Sequence, residues 1–221
     1  MTYLLLTGGA GFIGSAVLRE LNNRGIFGIV VVDDLGHNTC WKNLVGKQFS
    51  ELLHKSQLFD WLKGHKSEIG SILHLGACTS TVESDGNFLL ENNYRYTRLL
   101  AEIALQQGIR FVYASSAATY GDGSRGFLDD HSLLETFQPL NMYGYSKHLF
   151  DLWALREGLL SNMCGLKYFN VYGPNEYHKG RMASAITRMV PEVLVSKVQC
   201  SGQSSGPTSG HISLFASAVP D

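Results

Sequence analysis

The chain has 221 residues, 44% of them hydrophobic and 17% charged, enough apolar surface for a sizeable core in one large domain or one domain and part of another. Its 18 basic and 19 acidic side chains leave a net charge of -1, which excludes electrostatic attraction to nucleic acid or an anionic membrane and points to small-molecule partners. No apolar run nears the roughly 20 residues of a membrane span, the N-terminus lacks the basic flank of a signal peptide, and the 4 cysteines show neither metal-ligand spacing nor a disulfide framework, so a cytoplasmic location without a bound metal is expected.

Tyr3 to Thr7 is a short apolar run stopped by glycines and predicts a strand. Ile13, Val17, Leu18 and Leu21 then share one helical face that ends near Arg24-Gly25, and Ile29 to Val32 is apolar on both faces, as a buried parallel strand is. The alternation continues with a strand at Ile72–Leu75, a long helix over about Asn87–Gln107, a strand at Arg110–Ala114, a helix over about Tyr145–Glu157 and a strand at Gly165–Phe169. Such a series predicts an α/β fold, a Rossmann-type doubly wound parallel sheet with ligands at the carboxyl ends of its strands. A further helix is expected at Met182–Val195. The dinucleotide-binding domain is placed at 1–175, the start of an incomplete C-terminal substrate domain at 176–198, and a disordered tail at 199–221, where Ser and Gly leave no apolar face.

Gly8, Gly11 and Gly14 fall between the first strand and the first helix, where the chain must turn tightly, approach a pyrophosphate and pack helix on strand. The free N–H groups at the start of that helix favour phosphates. Asp33, at the end of the second strand, is placed to accept hydrogen bonds from an adenosine ribose, and Asp34 beside it adds a second charge that repels a 2′-phosphate and favours NAD over NADP. Tyr143 and Lys147 share a helical face about 5–6 Å apart at Cβ, near Ser115-Ser116 at a strand end. A lysine charge about 4 Å away can lower a phenol by roughly 3 pKa units at an effective dielectric near 20, toward the range needed for proton transfer. Ser116 would hydrogen-bond the reacting oxygen.

Thr7 to Gly14, His74-Leu75-Gly76-Ala77, Tyr113-Ala114-Ser115-Ser116 and Tyr143 to Lys147 together resemble the extended short-chain dehydrogenase/reductase family, and the further runs Cys78-Thr79-Ser80-Thr81, Glu91-Asn92-Asn93-Tyr94, Pro139 to Lys147, Tyr168 to Pro174 and His178 to Ser184 are similar to its nucleotide-sugar epimerases. The resemblance covers about residues 1–197. It implies a homo-oligomeric enzyme with one NADP or NAD per subunit and a nucleotide-sugar substrate, an ADP-heptose, whose hydride is removed and returned to the opposite face. Tyr143 and Lys179 then match the two proton donors or acceptors. Phe12, Ile13, Asp33, Asp34, Lys55, Leu75, Gly76, Ala77, Cys78, Thr79, Asn92, Lys147 and Val171 match cofactor positions, and Asn170 a substrate contact. Family members commonly carry Asn at Asp34 and a 2′-phosphate lysine at Cys40, which leaves NADP and NAD both open; Arg181 and Arg188 stand where substrate-binding Ser and His are usual. Relatives continue into a fuller substrate domain where this chain has its Ser/Gly tail, so truncation or a shifted reading frame is expected. The alternatives are a nucleotide-sugar 4-epimerase or reductase, and a cofactor-binding module without turnover.

Overall fold

Strands β1 (Tyr3–Thr7), β2 (Ile29–Asp33), β3 (Glu51–His54), β4 (Ile69–His74), β5 (Arg110–Ser116) and β6 (Met163–Tyr168) form one sheet in the order β3-β2-β1-β4-β5-β6. Every neighbouring pair is parallel, with Leu5 of β1 opposite Val30 on one side and Ile72 on the other. This is the strand order of doubly wound dinucleotide folds, and its reversal point lies between β1 and β4. The computed structural model describes residues 2–37 and 39–189.

Successive residues of β1 bury on opposite faces, which splits the core in two. Leu5 joins Val30, Ile72, Leu100, Phe111 and Phe150 on one side, while Leu6 joins Val31 and Leu18 on the other. The helices that cover these faces are α1 (Phe12–Asn23), α2 (Leu58–His65), α3 (Gly86–Leu89) leading through a π-helical turn (Leu90–Arg95) into α4 (Tyr96–Gln106), and α5 (Met142–Arg156). α5 begins three residues before its apolar pattern suggests because the Asn141 side chain caps it, accepting the Gly144 N–H at 2.8 Å. That cap places Tyr143 in the first turn. The expected helix at Met182–Val195 is different: Tyr177–Met182 is a 3-10 turn broken at Gly180, residues 185–189 are helical, and the rest lies outside the described residues, as does the 199–221 tail. The described residues up to Ser184 form one compact unit, and the chain from Ala185 on is a separate one. Among the described residues no helix is long and apolar enough to cross a membrane.

One buried chain of hydrogen bonds joins β1, β4 and α4. The Thr97 hydroxyl gives its single proton to the Asn93 carbonyl (2.6 Å), so its oxygen must accept from His74 Nε2 (2.9 Å). His74 Nδ1 then accepts the Thr7 hydroxyl proton (2.6 Å), and the Thr7 oxygen takes the Gly76 N–H (3.0 Å). The imidazole is thereby held neutral with its proton on Nε2. Burial, reinforced by the Lys147 charge, pushes its pKa down to about 3. An unfolded chain binds a proton at this histidine below its ordinary 6.5, whereas the folded chain does not until about 3. Stability therefore falls as pH drops through that window, by up to about 1.4 kcal/mol per pH unit for the one proton. His74→Asn removes this dependence: between pH 6 and 4, urea-unfolding free energies of the wild type should fall more steeply than those of the variant, and parallel curves would refute the neutral assignment.

Candidate functional site

The turn from β1 to α1 has room for glycine alone at two positions. Gly8 has φ +72°, and a Cβ there would lie 2.6 Å from the Gly76 nitrogen; a Cβ on Gly14 would lie 2.0 Å from the Gly8 carbonyl oxygen. This packing brings the carboxyl ends of β1 and β4 together. α1 starts with Gly11 as its N-cap, without a side-chain cap and without an acidic residue in its first turn, so its leading N–H groups and positive dipole end face the groove lined by Gly11 to Gly14. A phosphate-bearing ligand fits that cradle.

Two clefts, of about 330 and 370 Å3, meet along Gly8, Asp33, Asp34, Gly76 and Ala77. The first adds Lys55, Cys78 and Asn92; the second adds Gly11, Phe12, Ile13, Gly14, Leu75 and Thr79, with Tyr143, Lys147 and Lys179 at the same cleft. Most residues singled out in the sequence therefore surround one groove. Val171 and Asn170 do not line either cleft; both are exposed. The side chain of Arg181 lies outside the described residues, and Arg188 belongs to the second unit.

At the end of β2 both acids already have partners. Asp33 accepts the Ala10 N–H at 2.7 Å through one oxygen and the Asp34 N–H at 2.8 Å through the other. Asp34 pairs with Lys55 at 3.1 Å and lies 3.6 Å from His54, and the lysine hydrogen bond holds its carboxyl below the usual range. Lys55 also donates to Asn92 at 3.1 Å, which bridges β3 to the π-helical turn.

Around Tyr143 an expectation is corrected. Lys147 donates to the Ala114 carbonyl at 2.8 Å, and burial lowers its pKa to about 8, opposed by Asp151 one turn along α5. Tyr143 is raised above its ordinary value by burial, opposed by its hydrogen bond with Ser116. Desolvation thus outweighs attraction to an ammonium that is turned toward a carbonyl. Lys179 reaches the same cleft from the segment after β6, its Nζ 4.5 Å from the centre of the Phe12 ring, and burial lowers its pKa while Glu176 opposes.

Sequence reasoning missed the buried groups behind these side chains. Asp151 accepts from Tyr113 (2.9 Å), Ser115 (2.7 Å) and Lys167 (2.6 Å), which binds α5 to β5 and β6. Asn93 holds both the N–H and the C=O of Cys78 at 2.9 Å and donates to Ser146 at 3.1 Å. Asp151 was visible only as the residue four beyond Lys147 on one helical face; Asn93 stood in the run Glu91–Tyr94 without a role assigned to it.

The sequence signature of the NAD dependent epimerase/dehydratase family matches residues 4–206. This chain belongs to that family. A curated relative from Nitratidesulfovibrio vulgaris, an ADP-L-glycero-D-manno-heptose-6-epimerase, is 49% identical over 219 residues, which is 98% of this chain and 64% of its own length. The protein of the same name from Fusobacterium nucleatum is 45% identical over 188 residues, 83% of this chain and 57% of its own. The crystal structure of the Helicobacter pylori ADP-L-glycero-D-manno-heptose-6-epimerase matches with a TM-score of 0.73 at 30% identity, covering 89% of this chain and 63% of that one. The chain thus spans less than two thirds of the length of these members of the epimerase/dehydratase family.

Gly14→Ala tests the family turn. The added Cβ, 2.0 Å from the Gly8 oxygen, forces the backbone apart; overpacking of this kind costs about 1–3 kcal/mol. Calorimetric unfolding should register that loss, and titration should show weakened dinucleotide binding; an unchanged affinity would detach the turn from the ligand.

Proposed function

We propose that this chain carries the dinucleotide site and both proton-handling residues of an ADP-glyceromanno-heptose 6-epimerase, which interconverts ADP-D-glycero-D-manno-heptose and ADP-L-glycero-D-manno-heptose by inversion at C6. The observation that carries the reading is that Tyr143 and Lys179, from α5 and from the segment after β6, line one cleft. The 49% identity to the N. vulgaris heptose epimerase supports this substrate over other nucleotide sugars.

A nicotinamide dinucleotide bound in the groove supplies reversible hydride acceptance at C6. Inversion then requires a proton acceptor and donor for each orientation of the C6 oxygen, since the hydroxyl loses its proton as the carbonyl forms and regains one as the hydride returns. Tyr143 serves one orientation and Lys179 the other. Ser116, hydrogen-bonded to Tyr143, steadies the oxygen on the tyrosine side. Lys147 contributes a positive charge behind Tyr143 and a hydrogen bond to the nicotinamide ribose. Hydride leaves and returns within one turnover, so the reaction is redox-neutral and needs no external oxidant.

Incubation of the chain with ADP-D-glycero-D-manno-heptose and NAD or NADP, followed by resolution of the two epimers, tests the proposal. Tyr143→Phe and Lys179→Met should each lower turnover by about 10²-fold or more, the usual worth of a positioned acid–base group. Tight dinucleotide binding without any epimer would defeat the assignment, and full activity in Lys179→Met would remove the second proton-handling group.

For the cofactor we propose one dinucleotide per chain with NAD favoured over NADP. Asp33 retains lone pairs for ribose hydroxyls beyond its two backbone donors, Asp34 stands beside it, and Cys40 offers no cation to a 2′-phosphate. Lys55 softens the repulsion through its bond to Asp34. Dissociation constants for the two cofactors should favour NAD, and Asp34→Asn should narrow the difference by freeing Lys55; tighter NADP binding in the wild type would reverse the proposal.

A further inference from the structure

Asn43 lies in a short helical turn, Cys40–Leu44, outside both clefts, and is 2% exposed. An asparagine side chain has two N–H donors and one carbonyl acceptor, and here all are engaged across the fold. Nδ2 donates to the Ala10 carbonyl in the glycine turn at 2.9 Å, and it faces the Asn175 carbonyl at 3.5 Å and His178 Nδ1 at 3.4 Å. Oδ1 accepts the Tyr177 hydroxyl at 2.5 Å. Asn175, Tyr177 and His178, three positions just before Lys179, are thus tied, through one amide, to the turn that faces the groove.

The segment holding Lys179 is built to receive this tie. Asn175 has φ +78°, the one positive value outside glycine among the described residues, and its side chain donates to Ser15 of α1 at 3.1 Å. Glu176 closes the segment on itself by accepting from the Gly173 N–H (2.9 Å), the Ser184 N–H (2.6 Å) and the Ser184 hydroxyl (3.0 Å). Lys179 then projects over Phe12.

We propose that Asn43 is the positioning residue for Lys179, suspending Gly173–Ser184 from the Ala10 carbonyl so that the amine is located by the same turn that receives the dinucleotide. The inference rests on the reading of Lys179 as the second proton-handling group. It requires an amide. An aspartate at 43 keeps the acceptor for Tyr177 but turns a second oxygen on the Ala10 carbonyl, where no donor remains.

The test is trypsin cleavage after Lys179, followed by mass spectrometry of the full chain, together with NAD affinity and, for chain that inverts the heptose, kcat. Loss of a buried amide's bonds should raise cleavage at Lys179 by about tenfold in Asn43→Asp while sites outside Gly173–Ser184 are cut at wild-type rates. kcat should fall by a larger factor than NAD affinity, because the Asp33 bond and the Gly8–Gly76 packing still hold the glycine turn when the amide is lost, whereas Lys179 loses its tether. Unchanged cleavage at Lys179 would overturn the proposal, as would an equal rise at every site, which means general loosening. Where Asn43→Asp does not fold, Tyr177→Phe removes one of the bonds from a ring that is 53% exposed and should raise cleavage at Lys179 by a smaller factor; no rise there also overturns it. If the wild type fails to invert the heptose while cleavage responds as stated, the catalytic reading of Lys179 fails and the tether stands.

Discussion

The peptide groups flanking Ala10 are the constraint on which the rest of the groove depends. The Ala10 N–H is held by Asp33 and its C=O by Asn43. The first bond joins the glycine turn to the end of β2, and the second joins it to the Cys40–Leu44 turn and, through Asn43, to the segment after β6. Because Gly8 sits against Gly76 without space for a Cβ, the same turn is also fixed to the end of β4. Strand ends far apart in sequence are therefore referred to one short loop, Gly8–Gly11. That loop carries no side chain able to move; its precision comes from backbone donors and acceptors with a single arrangement each.

Charge in the surrounding walls is managed by burial more than by pairing across the groove. Lys147 is 4% exposed and has only a carbonyl as its immediate partner, while the nearest carboxylate of the network, Asp151, is spent on Tyr113, Ser115 and Lys167. An ammonium so placed sits near neutrality in its titration, with a pKa of about 8. Burial thus moves its titration down from the ordinary lysine range toward the physiological one. Tyr143 experiences the opposite drift, its phenol favoured over the phenolate by the same desolvation. The pair is consequently sensitive to whatever polar groups a bound sugar and ribose bring beside it, which is the condition an acid–base group needs if it is to act only when substrate is in place.

Local patterns carried the parts of this architecture that are local in physics. β1, α1, β2 and the glycine turn were legible because a strand, a tight turn and an amphipathic helix each announce themselves within a dozen residues. Tyr143 and Lys147 were legible because helical spacing alone brings them to one face. β3 was not: only Leu53 among its four residues is buried, so no alternation marks it. That omission had a consequence at the cofactor edge. The β2–β3 register sets Asp33 opposite His54, which puts Asp34 beside Lys55, and without β3 the two acids read as unopposed. Asn43 and Asp151 were illegible for a related reason, since their partners lie up to 135 residues away and a single polar residue in a helical turn has no periodic signature.

Tyr143 and Lys179, the two groups proposed to handle protons, are supported by separate parts of the fold. Tyr143 is set by the Asn141 cap of α5 and by Ser116 at the end of β5, whereas Lys179 depends on a loop whose anchors are Asn43, Ser15 and the internal bonds of Glu176. A helix packed along its length resists displacement; a loop held by a few hydrogen bonds opens at a lower free energy. Under the proposed function, the site admits a bulky sugar and serves both faces of its C6, which calls for one rigid wall and one separable wall. The division of labour between α5 and the loop meets that requirement, with the rigid wall bearing the residue that shares its helix with Lys147.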